Sequence, residues 1–251
     1  MDGTLHIIQI TDTHLFATDG PRMHDVDSRE SLARVLAAIA ADESPDLLLV
    51  TGDIAQDESR DAYRRLAEAL APLNVPVLAL AGNHDDAALM ADVFARTAIS
   101  VDKLHDFDHW RILQLHSPVA GETHGWLEPA ELDWLDTALA VDRPTLICLH
   151  HPPLAVGTQW LDAIGLTNTQ EFFNVVDRHE TVRAVVAGHV HQESYVRRGA
   201  VDYFTTPSTS VQFRPGVPQP AFDTLAPGYR RLRLHPDGGV ESEVVRVGTA
   251  G

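Results

Sequence analysis

Five short motifs place metal-ligating or proton-transferring side chains directly after apolar runs: Asp12-Thr13-His14, Gly52-Asp53, Gly82-Asn83-His84-Asp85, His150-His151-Pro152 and Gly188-His189-Val190-His191. Their donors are carboxylates, imidazoles and one amide oxygen, with no thiolate. Such a nitrogen and oxygen set suits manganese, iron, zinc or cobalt rather than a structural cysteine–zinc site. Asp12 and His14 are two apart, so in an extended segment both side chains point the same way and one ion can take both. His189 and His191 have the same spacing and can serve one ion or be shared between two. Asp53 has two oxygens with which to bridge two cations, Asn83 offers a neutral oxygen and His150 an imidazole. The chemistry is that of a two-metal hydrolytic centre, which clamps the attacking and leaving oxygens of an in-line displacement and lowers the pKa of bound water. Two divalent cations on two carboxylates keep a surplus positive charge. A hydroxide and one phosphodiester anion would balance it.

His84 follows a candidate ligand and is left over. Its position suits a general acid that protonates the departing oxygen, with Asp85 fixing the imidazole tautomer. Gly82 is expected to supply a sharp turn. Alone, each motif has a plainer reading: Asp-x-His as two surface polar residues, Gly-Asp as a turn, paired histidines as strand punctuation. The conjunction of five, all at expected strand ends, favours one site.

The elements that must position these residues follow from hydrophobic periodicity. Leu5 to Ile10, Asp46 to Thr51 and Val75 to Ala81 read as buried strands. Ser28 to Ala41, Glu58 to Ala71 and Asp86 to Ala95 read as amphipathic helices between and after them. This β-α-β-α-β-α order implies a mostly parallel sheet with ligands beyond the strands' C-terminal ends. Further on, Trp110 to Leu115, Thr145 to Leu149 and Val182 to Ala187 read as strands, with helices over Glu128 to Ala140 and Gln170 to Arg178. Pro152 to Thr169 reads as a long loop. Short strands at Tyr195 to Arg198, Val201 to Thr206, Arg230 to Leu234 and Val240 to Val245 suggest a second, largely antiparallel sheet. Phe213 to Gly228 is rich in proline and glycine and reads as an irregular surface loop.

The bulk numbers bound the function. The 251 residues carry a net charge of −17, which disfavours nucleic acid and anionic membrane as partners. A phosphate substrate would therefore need a local reversal of sign, which bound cations provide. No basic segment precedes an apolar one at the N-terminus, and no apolar run reaches spanning length. Together with a single cysteine, Cys148, read as a core hydrophobe, this places the protein in the cytoplasm. Length and composition fit one domain over residues 1–251.

The motif order resembles the calcineurin-like metallophosphoesterase superfamily over nearly the whole chain, from Leu5 to Val247. The resemblance implies an α/β fold, a four-layer αββα sandwich with two mixed sheets, and two divalent or trivalent transition-metal ions. It implies a first metal site of Asp12, His14, Asp53 and His191. The second would be Asp53, Asn83, His150 and His189, with Asp53 bridging. His84 matches the family's proton donor, and His150 rather than His151 matches the histidine of His-x-Pro. The substrate would lie against His14, Asp53, Asn83, His84 and His191. Four further stretches resemble the bacterial class III cyclic-AMP phosphodiesterases: Gln9 to Phe16, Gly157 to Asp162, Thr206 to Phe213 and Leu225 to Tyr229. They imply hydrolysis of 3′,5′-cyclic AMP to 5′-AMP by a metal-bound hydroxide, with Trp160 and Phe213 as candidate walls for the adenine ring. His116-Ser117 departs from the Asp-Ser of close relatives. Two alternatives stay open: a phosphodiesterase for glycerophosphodiesters or other small diesters, and a non-enzymatic scaffold that keeps the fold.

Overall fold

In a computed structural model that describes residues 3–248, the apolar runs become strands that are buried on both faces. β1 (Leu5–Ile10), β2 (Leu47–Thr51), β3 (Val77–Leu80) and β4 (Ile99–Ser100) lie parallel, with Ile8 beside Leu48 and Leu48 beside Val77. Alternation along each strand divides the side chains between two layers. Ile8, Ile10, Leu48, Val50, Val77 and Ala79 face α1 (Ser28–Ala40), α2 (Arg60–Leu70) and α3 (Ala87–Phe94). The helices start where the sequence provides caps. Asp27, Ser59 and Asp86 each accept a hydrogen bond from a first-turn N–H.

The other face of that sheet meets a second sheet. β5 (Leu104–Asp106), β6 (Arg111–Gln114), β7 (Thr145–Cys148), β8 (Val182–Ala187), β9 (Ser194–Arg198) and β10 (Val201–Thr205) are arranged in the order β5-β6-β7-β8-β10-β9. Ile7, Leu47, Leu49, Leu78 and Leu80 pack there against Ile112, Leu146, Cys148, Ala184 and Val186. Cys148 is buried and free, as its strand position implied. Leu113, Ile147 and Val185 turn outward under α4 (Pro129–Leu139) and a helix over Thr169–Val176. Three apolar layers between helix, sheet, sheet and helix make the αββα sandwich, and both sheets are mixed.

The C-terminal strands correct one expectation. They do not form a separate antiparallel sheet. β10 pairs parallel to β8, and only β9 and β5 run antiparallel in the second sheet. Two further strands, over Gly228–Leu234 and Val240–Arg246, return to the first sheet beside β1. The reason is the alternation of Leu232 and Leu234, which continues the layer between the sheets. Two loops are also less irregular than expected. A short helix, Gln159–Asp162, sits within the Pro152–Thr169 segment. Gln212–Phe213 and Phe222–Asp223 pair as a small hairpin across the segment read as loop.

A polar pin crosses the apolar layer near the ends of the strands. The Gln9 amide donates to Thr51 Oγ1 at 2.8 Å and to the Ala187 carbonyl at 3.3 Å, and it accepts from Thr206 at 2.6 Å. All of these groups are buried; Thr51 answers Gln9 from the neighbouring strand, while Ala187 and Thr206 answer it from the opposite sheet. The apolar layer supplies most of the cohesion. Leu146→Ala should cost about 2–5 kcal/mol in denaturant unfolding. A loss under about 1 kcal/mol would show that the sheets are not packed on this layer.

Candidate metal centre

β1, β2, β3, β7 and β8 end on one side of the sandwich, and the five motifs follow them there. The segment after β1 extends the ladder beyond the strand. Asp12 N–H donates to Gly52 O, His14 N–H to Asp53 O and Leu15 N–H to Ile54 O. Asp12 and His14 nevertheless do not align through an extended backbone, as the sequence suggested. Asp12 has φ 54° and His14 φ 45°. Asp53, His189 and His191 share this left-handed region, at φ 49°, 68° and 49°. Residues with a side chain seldom adopt it, and strained backbone of this kind concentrates at functional sites. Surrounding bonds hold the strained segment. Thr11 Oγ1 donates to Asp12 Oδ2 at 2.7 Å, and Ser208 Oγ donates to the Asp12 carbonyl at 2.7 Å.

The side chains converge into overlapping trios. Asp12, His14 and His191 form one, Asp12, Asp53 and His150 a second, and His150, His151 and His189 a third, with all their ligand atoms buried. His14 Nε2 and His191 Nε2 are 3.1 Å apart, and Asp12 Oδ1 is 3.2 Å from His191 Nε2. His150 Nε2 lies 3.3 Å from Asp53 Oδ1 and 3.2 Å from Asn83 Oδ1. The other ring nitrogens fix the tautomers. His150 Nδ1–H donates to the Thr51 carbonyl and His191 Nδ1–H to the Val211 carbonyl, each at 2.8 Å. Since a carbonyl can only accept, both Nε2 lone pairs are aimed inward in the neutral rings. His189 Nε2 is buried without a partner, a second sign that these nitrogens await a cation. The donor set fits two transition-metal ions.

Electrostatics favours the deprotonated forms of His14, His189, Asp12 and Asp53, with His150 the exception. Burial lowers His14 to about 4 and His189 to about 3, so both are neutral at pH 7. Burial would raise Asp12 and Asp53, yet the rings of His191 and His150 outweigh it and hold both carboxyls low. Burial also opposes charge on His150, but Asp53 prevails and pushes it up to about 9. A cation bound at Nε2 would displace the proton that Asp53 favours on His150.

His84 is half-buried and belongs to none of the trios. Its ring stands edge-on to His14 at 5.3 Å, and its backbone N–H donates to Asp53 Oδ1 at 2.9 Å. Asp85 departs from its expected role. Its oxygens accept from the N–H groups of Ile54, Ala55 and Gly82 at 2.9–3.1 Å, so it ties the β2 and β3 loops together instead of orienting the His84 ring. A tight turn begins at Gly82 as expected, its carbonyl accepting from Asp85 N–H at 3.2 Å. Gly82 also provides space, because a Cβ there would lie 2.2 Å from Asp53 Oδ1.

The sequence reading did not single out the supporting residues. Ser117 Oγ is bonded to His151 Nδ1 at 2.8 Å, and the His151 ring lies 4.6 Å from that of His189. Thr51, Val211 and Thr11 act through the bonds above. Of these, only the His150-His151 pair carried a signal in the sequence. His116, which follows β6, is exposed, and the buried neighbour Ser117 makes the contact with the site. Phe213 stacks on His191 and meets Trp160 edge-on at 4.9 Å.

An α/β sandwich with this cluster of aspartates and histidines at its strand ends defines a metallophosphoesterase. The family described as calcineurin-like phosphoesterase matches residues 5–193. The chain belongs to the calcineurin-like phosphoesterase family. It is 39% identical over 249 residues to a Pseudomonas aeruginosa protein named 3′,5′-cyclic adenosine monophosphate phosphodiesterase CpdA, covering 98% of this chain and 91% of that one. It is 37% identical to a 3′,5′-cyclic-nucleotide phosphodiesterase of Nostoc sp., covering 97% and 92%. A dimetal phosphatase from Danio rerio has the same fold at TM-score 0.66 and 15% identity, covering 97% of this chain and 99% of that one. So does GAP50, the anchor in the inner membrane complex of Plasmodium, at TM-score 0.67 and 13% identity, covering 98% and 85%.

The tight packing gives a test. A Cβ at Gly188 would meet Thr11 Oγ1 at 2.1 Å and Asp12 Oδ2 at 2.8 Å. Gly188→Ala should weaken metal binding roughly 10–100-fold, measured by chelator competition. Wild-type affinity in this variant would show that Asp12 does not hold the ion.

Proposed function

We propose that this chain hydrolyses 3′,5′-cyclic AMP to 5′-AMP, as one metallophosphoesterase domain. The reading is supported most by one observation: His150 Nε2 lies 3.3 Å from Asp53 Oδ1 and 3.2 Å from Asn83 Oδ1, a buried nitrogen and oxygen set that suits a cation. Asp12, His14, Asp53 and His191 would hold one ion. Asp53, Asn83, His150 and His189 would hold the other, Asp53 being common to both sets. When bound, the two ions (iron, manganese, zinc or cobalt) supply Lewis acidity and a low-pKa water. Substrate choice rests on the relatives' named activity, since dimetal phosphatases share the fold. A small anionic diester also suits a chain with net charge −17 in which bound cations would reverse the local sign at the site. The protein acts in the cytoplasm.

The chain's own residues have distinct tasks. Thr51 and Val211 lock the tautomers of His150 and His191, so the rings present lone pairs at no further cost in reorganisation. Asp53 Oδ1 also accepts from the backbone N–H of His84, which couples the position of this carboxylate to that of the segment carrying the acid. His84, beside His14 and outside the trios, faces the substrate and gives its proton to the departing ribose 3′ oxygen. His14, Asp53, Asn83, His84 and His191 line the position of the phosphate.

Metal analysis of the purified protein should find up to two transition-metal ions per chain, and chelation should abolish activity. Asp53→Ala should lose more activity at saturating metal than Asp12→Ala or His191→Ala, because only Asp53 serves both ions. Full activity with one ion, or an Asp53→Ala enzyme as active as wild type, would overturn the assignment. Comparing kcat/KM for cyclic AMP with that for a glycerophosphodiester settles substrate preference within the class.

His84 is tested by the leaving group. The ribose oxygen of cyclic AMP departs as a basic alkoxide, so His84→Ala should cost roughly 10²–10⁴-fold on it. A nitrophenyl diester expels a weakly basic anion and should suffer much less, at unchanged metal content. Equal losses on both substrates would refute the acid role.

A further inference from the structure

Phe213 stands out among the aromatic residues around the centre. Its ring is stacked on His191, with centroids 4.2 Å apart and planes at 15°. His191 is already held in its plane by the bond from Nδ1–H to Val211 O. The same short segment, residues 211–213, therefore restrains the imidazole along its edge and across its face. Phe213 is itself braced. Trp160 meets it edge-on at 4.9 Å, and Phe222, its partner across the hairpin, lies at 5.5 Å. Behind this group opens a cavity of about 800 Å³, whose walls include His191, Gln192, Gln212 and Phe213. Without Phe213, the back of the His191 ring would face that open space.

We propose that Phe213 is a positioning residue, which holds the His191 ring at the angle its metal requires, and that it does not form a wall for the adenine base. A flat ring 4.2 Å away excludes tilting of the imidazole about its Cβ–Cγ bond. The in-plane bond to Val211 alone does not prevent this. The inference rests on the metal reading above, in which His191 Nε2 is a ligand.

The test uses the full chain, with metal removed and then titrated back. Phe213→Leu keeps an apolar side chain but loses the flat face, while Phe213→Tyr keeps the face. Phe213→Leu should weaken one of the two metal-binding events by roughly 10–100-fold. It should lower kcat equally for cyclic AMP and a nitrophenyl diester, with KM little changed. Phe213→Tyr should restore both quantities. If Phe213→Leu does not fold, judged by circular dichroism, Phe213→Met serves in its place and should show the same weakening. Unchanged metal affinity with a raised KM for cyclic AMP alone would overturn the proposal and make Phe213 a substrate wall. His191→Ala separates the two levels of argument. If it binds both ions as wild type does, the metal reading has failed. If it loses one ion while Phe213→Leu keeps both, only the positioning role has failed.

Discussion

The centre depends on crowding buried titratable groups into one place. Imidazole nitrogens and carboxylate oxygens converge there at 3.1–3.3 Å. The rest of the sandwich supplies the restraint, through the apolar layer between the sheets and the Gln9 pin that spans it. Preorganisation of this kind moves the expense of ordering the ligands from the binding step to folding.

Backbone conformation is the second part of that restraint. Five of the seven candidate ligands occupy the left-handed region: Asp12, His14, Asp53, His189 and His191. Such strain persists only where the surroundings over-determine it. Here Thr11, Ser208 and the carboxylate of Asp85 bind the loops, and Gly82 and Gly188 let backbones approach where a methyl group would collide. Asp85 thus belongs to the loop architecture, although it follows His84 directly in sequence.

The fold by itself does not decide function. The same sandwich underlies a dimetal phosphatase and an anchor of a membrane complex. This chain carries buried aspartate and histidine trios at its strand ends. Outside them, surface ion pairs such as Arg29–Asp19 are exposed and contribute little to stability.

The sequence by itself determined much of this protein. Hydrophobic runs of period 2 and 3.6 identified the central strands and helices, because burial dictates them locally. The ligand types and their places at strand ends were also legible, since parallel α/β sheets put sites there. Only the tertiary structure decided the rest. The strands after His191 carried no signal of which sheet edge they would join, and Leu232 and Leu234 found their layer only when both sheets existed. The left-handed turns at Asp12 and His14 were invisible, because the residues there are not glycines and the conformation is imposed by bonds from distant segments. Ser117, Thr51, Val211 and Phe213 support histidines 20 to 99 positions away in the chain, so no local pattern could announce them.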